Sequence, residues 1–138
     1  MELVHNAVAH PWLCDVMGHV TTRHYIAIFD DASYFFLYRT FGWAGDDAAN
    51  GLGWADVRHE IDYQAEVAAG DLLEVHAGLE KIGTKSITVR YEMRNSKKNE
   101  IAATLISTSV LFDMKARKAV PLTDKMRRAV SETKSPNS

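Results

Sequence analysis

Asp15, Gly18 and His19 stand close together in the stretch CDVMGHVTTRHY, followed by Thr21 and Thr22 and then a long apolar run. A carboxylate can take a proton from water or attack an electrophilic carbon itself. A glycine lets the backbone turn tightly behind it. An imidazole a few residues on can orient the acid or a bound group. The apolar run reads as a helix over residues 22 to about 41. A helix start leaves about four backbone N–H groups without intrahelical partners and carries partial positive charge. The spacing therefore puts an acid, a hinge and an imidazole just ahead of a natural anion cradle.

The rest of the chain must hold that arrangement in place. In TRHYIAIFDDASYFFLYRTF, Tyr25, Ile28, Phe29, Ala32 and Phe36 fall at helical spacing. The other side carries Ala27, Tyr34, Leu37, Tyr38 and Phe41, so the helix is apolar nearly all round and is expected to be buried. Thr21 or Thr22 can cap its start and Gly42 can end it. GWAGDDAANGLGW reads as loop. From Val57 to Val67 apolar and polar residues alternate strictly, which predicts a strand with one wet face. Ala69-Gly70-Asp71 reads as a turn. Alternation resumes over Leu73–Leu79 and over Ile87–Met93, with Gly83 as the break between them. Asn95–Asn99 is a polar turn. IAATLISTSVLF reads as a long strand central in the sheet, DMKARKAVPL as a strand end and turn, and a short helix is expected from Thr123.

With a short first strand, this gives one helix and then four consecutive strands with short connections, hence antiparallel neighbours. One helix cannot cover both faces of about five strands, so the sheet must curl around it: an α+β architecture. Residues 1–130 read as a single domain and 131–138 as a flexible tail.

Composition narrows the function. The 138 residues carry a net charge of -2, and no basic stretch tracks a phosphate backbone, so nucleic acid is not an expected partner. No apolar run is long enough to span a membrane and the N-terminus lacks a secretory pattern. A lone cysteine, Cys14, makes no internal disulfide. The cytoplasm is the expected location. His10, His24 and Cys14 lack the paired spacing of a zinc site, so neither metal nor cofactor is expected.

Asp15-x-x-Gly18-His19-Val20, with Tyr25 inside the helix that follows, resembles the D-x-x-G-H-V-N-N-x-x-Y motif of hotdog-fold thioesterases. The branch is that of 4-hydroxybenzoyl-CoA thioesterase and the plant acyl-ACP thioesterases. The resemblance continues through VRHEIDYQAEVAAGDLLEVHAGLEKIGTKSITVRYEM and VLFDMKARKAVPL, nearly the whole chain. It implies an acyl-CoA thioesterase working as a homodimer or dimer of dimers, with a hotdog fold of about five antiparallel strands around one long buried helix. Asp15 is then the nucleophile or general base, His19 and Thr22 its catalytic neighbours, and the backbone amides of Thr22 and Arg23 the oxyanion hole. Trp12, Gly18, Tyr25, Trp54 and His59 are the implied substrate contacts.

Thr21 and Thr22 depart from the family's Asn-Asn, which keeps a backbone role but removes a side-chain amide; GHVTTRHYIAIFDDAS is in this respect similar to the thioesterase portion joined to carnitine dehydrogenases, a hint of a small or unusual acyl group. Several residues keep two readings. Trp12, Trp43 and Trp54 line an acyl pocket or seal the core. His59 is a core or interface histidine or a substrate contact. Asp30 and Asp31 call for a basic partner on another strand or subunit. Lys85, Arg90, Arg94, Lys97 and Lys98 form a solvated face or meet CoA phosphates. A hotdog dehydratase is disfavoured, since its aspartate and histidine lie five apart after a proline. An acyl-CoA-sensing protein without turnover is the non-enzymatic alternative.

Overall fold

The computed structural model describes residues 1–133. The elements follow the chain as β1 (Glu2–Val8), a 3-10 turn (Pro11–Leu13), α1 (Thr22–Phe41), α2 (Gly45–Ala49), β2 (Leu52–Tyr63), β3 (Leu72–Ile82), β4 (Ser86–Asn95), β5 (Glu100–Asp113), β6 (Lys118–Ala119) and α3 (Asp124–Thr133). The helix α1 is where the periodicity puts it, and Gly42 ends it in a left-handed turn whose N–H donates to Tyr38 O at 2.8 Å. Ser131 to Thr133 continue α3, and the rest of the expected tail, residues 134–138, lies outside the described residues.

All strand pairs are antiparallel, in the order β1-β3-β4-β5-β2, with β6 beside β5. The expected run of neighbours from β2 to β5 is corrected here. β5 is interior as expected, but β2 pairs with β5 and β3 with β1. The chain leaves β2 at one edge and re-enters at β3 near the other, so residues 64–71 cross the end of the sheet. This crossing positions the candidate site.

The expected stripe of α1 packs on the inner face of the curled sheet. Phe29 is 1% exposed, and Tyr91 of β4 meets Phe29 and Phe36 at ring distances of 6.3 and 6.1 Å. Burying each such side chain contributes roughly 1.5–3 kcal/mol. The other side of α1 is not buried in the single chain: Tyr34, Phe35 and Tyr38 are exposed. On β2 the alternation breaks at a bulge. Asp56 pairs with Ser109 and Arg58 with Thr108, leaving Val57 as the extra residue, and it is exposed. Trp54 and Asp56 thus face the helix before the bulge, and His59 and Ile61 after it. α3 closes the far end of the helix, with the Arg127 guanidinium donating to Gly83 O and Thr84 O at 2.9 and 3.0 Å.

Candidate active site

The stretch from Cys14 to Val20 folds back on itself. Cys14 and Val20 form an isolated antiparallel bridge, and the Asp15 amide donates to His19 O at 3.0 Å. The turn inside it is closed by Gly18 N–H donating to Asp15 O at 3.0 Å, with Gly18 at φ +81, a conformation that side chains disfavour. The Met17 amide donates to Asp15 Oδ1 at 2.9 Å. One carboxylate oxygen is thereby fixed, while Oδ2 has no hydrogen-bond partner among the described residues.

The crossing segment clamps this loop from the other side. His19 bridges to Ala68, and Val20 N–H donates to Val67 O at 2.8 Å. The segment is itself anchored by Asp71, a buried carboxylate. Asp71 Oδ2 accepts from the Ala68 amide and from Asn95 Nδ2, both at 2.9 Å, with Lys98 Nζ 3.8 Å away.

α1 starts between the two segments. Thr21 occupies the N-cap in an extended conformation but makes no side-chain cap, and its Oγ1 is buried without a partner among the described residues. His24 and Tyr25 donate to Thr21 O at 3.0 and 3.3 Å. The Thr22 and Arg23 amides have no acceptor among the described residues. Thr22 lines a cavity of about 380 Å³ together with Asp15, Met17, His19 and Tyr25, with Tyr63 at the end of β2 and with Gln64 to Glu66 of the crossing; Arg23 is the next residue of the same helix turn and does not line it. That volume is in the range of small-ligand sites. Burial pushes the Tyr25 hydroxyl above its ordinary pKa, and its ring stands edge-on to Tyr63 at 5.1 Å.

The structure therefore brings Asp15, Gly18, His19, Thr22 and Tyr25 into one place, with Arg23 in the same first turn. The His19 imidazole is held by Glu66, its Nε2 3.2 Å from Glu66 Oε2, and among the described residues the ring makes no hydrogen bond to the Asp15 carboxylate. Trp12, Trp54 and His59 do not line this cavity. Trp12 is exposed and stacks on His10 at 4.3 Å. Trp54 stacks on Phe41 at the far end of α1, and a strand from Trp54 to Tyr63 spans about 30 Å at 3.3 Å per residue. His59 sits midway, its Nε2 3.6 Å from Asp56 Oδ2. Tyr63, Gln64 and Glu66 were not legible as site residues, because the alternation runs on through them as though they were strand.

Asp30 and Asp31 form no salt bridge among the described residues; the one basic side chain that shares the cleft with Asp30 is His59. Arg90 and Arg94 are engaged by Glu92, which they and their hydrogen bonds hold below the usual carboxylate range against the cost of burial.

The thioesterase-like superfamily model matches residues 9–130. The long-chain acyl-CoA thioesterase FadM of Escherichia coli K12 is 23% identical over 120 residues, covering 86% of this chain and 89% of that one. A Staphylococcus aureus protein solved in complex with CoA superposes with a TM-score of 0.87 at 16% identity, over 95% of this chain and 83% of that one. A 1,4-dihydroxy-2-naphthoyl-CoA thioesterase from Synechocystis does so with a TM-score of 0.84 at 18% identity, over 97% and 98%. The curled sheet around one long helix is the hotdog fold that these structures share. With nearly the whole chain matched, the protein belongs to the thioesterase-like superfamily and is a thioester hydrolase.

Proposed function

We propose that the chain is an acyl-CoA thioesterase in which Asp15 carries the chemistry. What supports this is a carboxylate fixed at one oxygen and Thr22 lining the same cavity, with the Thr22 and Arg23 amides of that first helix turn left without acceptors among the described residues. The thioester carbonyl oxygen rests on those amides, which take up the negative charge as the carbon becomes tetrahedral. By one route Asp15 attacks the carbon, the C–S bond breaks to release CoA thiolate, and water hydrolyses the mixed anhydride. By the other, Asp15 takes a proton from water, whose oxygen attacks the carbon before the C–S bond breaks. His19, tethered by Glu66, borders the approach of the thioester, and the Thr22 hydroxyl lines the cavity beside the proposed oxyanion amides.

The test is free-thiol release from a panel of acyl-CoAs. Turnover is expected; tight binding without thiol release would replace this reading with that of an acyl-CoA sensor.

The working unit in this reading is a homodimer, or a pair of dimers. The free edge of β2 and the exposed apolar side of α1 support it, since a long uncovered edge invites pairing. Tyr38, 61% exposed, is the probe. Tyr38→Glu should reduce the mass seen by light scattering from dimer to monomer while the circular dichroism spectrum is kept; a wild-type monomer would sink the dimer. No helix among the described residues is long and apolar enough to cross a membrane. A cytoplasmic location suits a chain with one unpaired cysteine.

A further inference from the structure

Thr22, Ile26, Asp30 and Ser33 fall on one face of α1 at helical spacing. Thr22 lines the cavity beside Asp15; the other three line a narrower cleft between α1 and the inner faces of β2 and β5. Tyr63 and Ile61 follow the same order on β2, Tyr63 on the cavity and Ile61 on the cleft. The two openings thus lie along one track.

The walls of the cleft are apolar: Ile26, Phe29, Ile61 and Leu105. Its end is polar, and the cleft has room for about one water-sized group. Tyr91 and Ser107 line it at 2% and 6% exposure, and neither hydroxyl has a hydrogen-bond partner among the described residues. Their hydroxyl oxygens, though on buried residues, are thus left to whatever occupies the cleft. Asp56 accepts from Ser109 Oγ at 2.6 Å and faces His59. The Asp30 carboxylate has no hydrogen-bond partner among the described residues, and no Lys or Arg lines the cleft. Asp30 and Asp56 remain exposed in the single chain; partial desolvation holds the Asp30 carboxyl above its ordinary range, as do the charges of Asp56 and Asp31, against a smaller opposing effect of His59. Burial and the charges of Asp56 and Asp30 likewise push the Tyr91 hydroxyl up. Two carboxylates thus face unpaired hydroxyls with His59 as their one basic neighbour.

We propose that this cleft is the far end of the acyl site and that Asp30, Asp56 and Tyr91 select an acyl chain tipped by a protonated amine. The inference rests on the thioesterase reading and names its substrate class. An –NH₃⁺ is water-sized, donates to carboxylate and hydroxyl oxygens together, and relieves the repulsion between the acids. A trimethylated nitrogen has neither the size nor the N–H groups. Asp30 lies about 12 Å along the helix axis from Thr22 at 1.5 Å per residue, and its side chain leans back toward the helix start. At about 1.2 Å per chain bond, a chain of about six to eight carbons spans the distance from carbonyl to amine, with only its tip entering the space left in the cleft and its methylenes having to part the apolar walls.

The experiment compares kcat/KM for 6-aminohexanoyl-CoA and 8-aminooctanoyl-CoA with heptanoyl-CoA and nonanoyl-CoA, which carry methyl in place of the ammonium, and with 6-hydroxyhexanoyl-CoA. The wild type is expected to prefer the amino tip by at least about tenfold. Asp30→Leu should reverse that ratio and Asp30→Asn should narrow it, while Asp31→Asn, one residue away and outside the cleft, should leave it in place. Equal rates on the amino and methyl tips, a better hydroxyl tip, or a ratio unmoved by Asp30→Leu would overturn the inference and leave the hydrolase standing. If no thioester turns over, the hydrolase reading fails by itself. Calorimetric binding of the same thioesters then reads the ratio, and a value near one overturns the amine preference.

Discussion

Asp15→Ala should lower kcat for thioester hydrolysis by about 10²–10⁴-fold, the usual weight of a positioned acid–base group, and KM should move little. In the proposed mechanism the carboxylate contributes where the carbonyl carbon changes geometry, whereas ground-state contacts along the acyl chain would come from Tyr25, Tyr63 and the cleft beyond. Asp15→Asn is the sharper variant. Its side-chain oxygen still accepts the Met17 amide that now meets Oδ1 at 2.9 Å, so the turn persists while the free oxygen loses its charge. Equal inactivity of the two variants, with unchanged melting temperature, assigns the loss to chemistry. A rapid burst of CoA ahead of free acid in a single turnover separates anhydride formation from attack by water. Thiol release within fivefold of wild type in Asp15→Asn would remove Asp15 from the mechanism.

Asp71→Ala should cost about 2–4 kcal/mol of stability, roughly 10 °C in melting temperature for a chain of this size. Its Oδ2 accepts from the Ala68 amide and the fully buried Asn95, and truncation leaves both donors without an acceptor away from water. The effect reaches the candidate site, because Ala68 and Val67 hold His19 and Val20. A fall in kcat beyond that expected from the unfolded fraction is expected. Asp71→Asn, which keeps an acceptor oxygen, should recover most of both losses. A melting temperature within 2 °C of wild type in Asp71→Ala would show that the crossing is held by other contacts.

How far the sequence reveals this molecule depends on the range of the signal. The α1 stripe and its Gly42 stop are local features, set by helical spacing and a left-handed turn, and both are legible. The Asp15 turn is legible through its motif. Strand order is not. Period two reports which face a residue takes, never which strand lies beside it, so β2 reads as a neighbour of β3 when its partner is β5. The bulge at Val57 is invisible for the same reason, since strict alternation continues straight through it. His59 illustrates the mixture: its inward direction is readable, its Asp56 partner depends on the bulge. Trp54 stacks on Phe41 and does not line the cavity beside Asp15, a separation that aromatic type cannot report because it carries no information about distance along a strand.

That same bulge has a consequence for how the protein behaves in a crowded solution. A straight, bare β2 would offer its amides and carbonyls to any extended chain and would seed aggregates. The extra residue at Val57 throws the pleat out of phase midway, and Arg58 and Glu60, facing each other as an exposed ion pair, charge the stretch just after it. Stray strands meet a template that changes phase under them, so the edge favours a partner that matches the shift, such as a second copy of the chain, over an arbitrary extended segment.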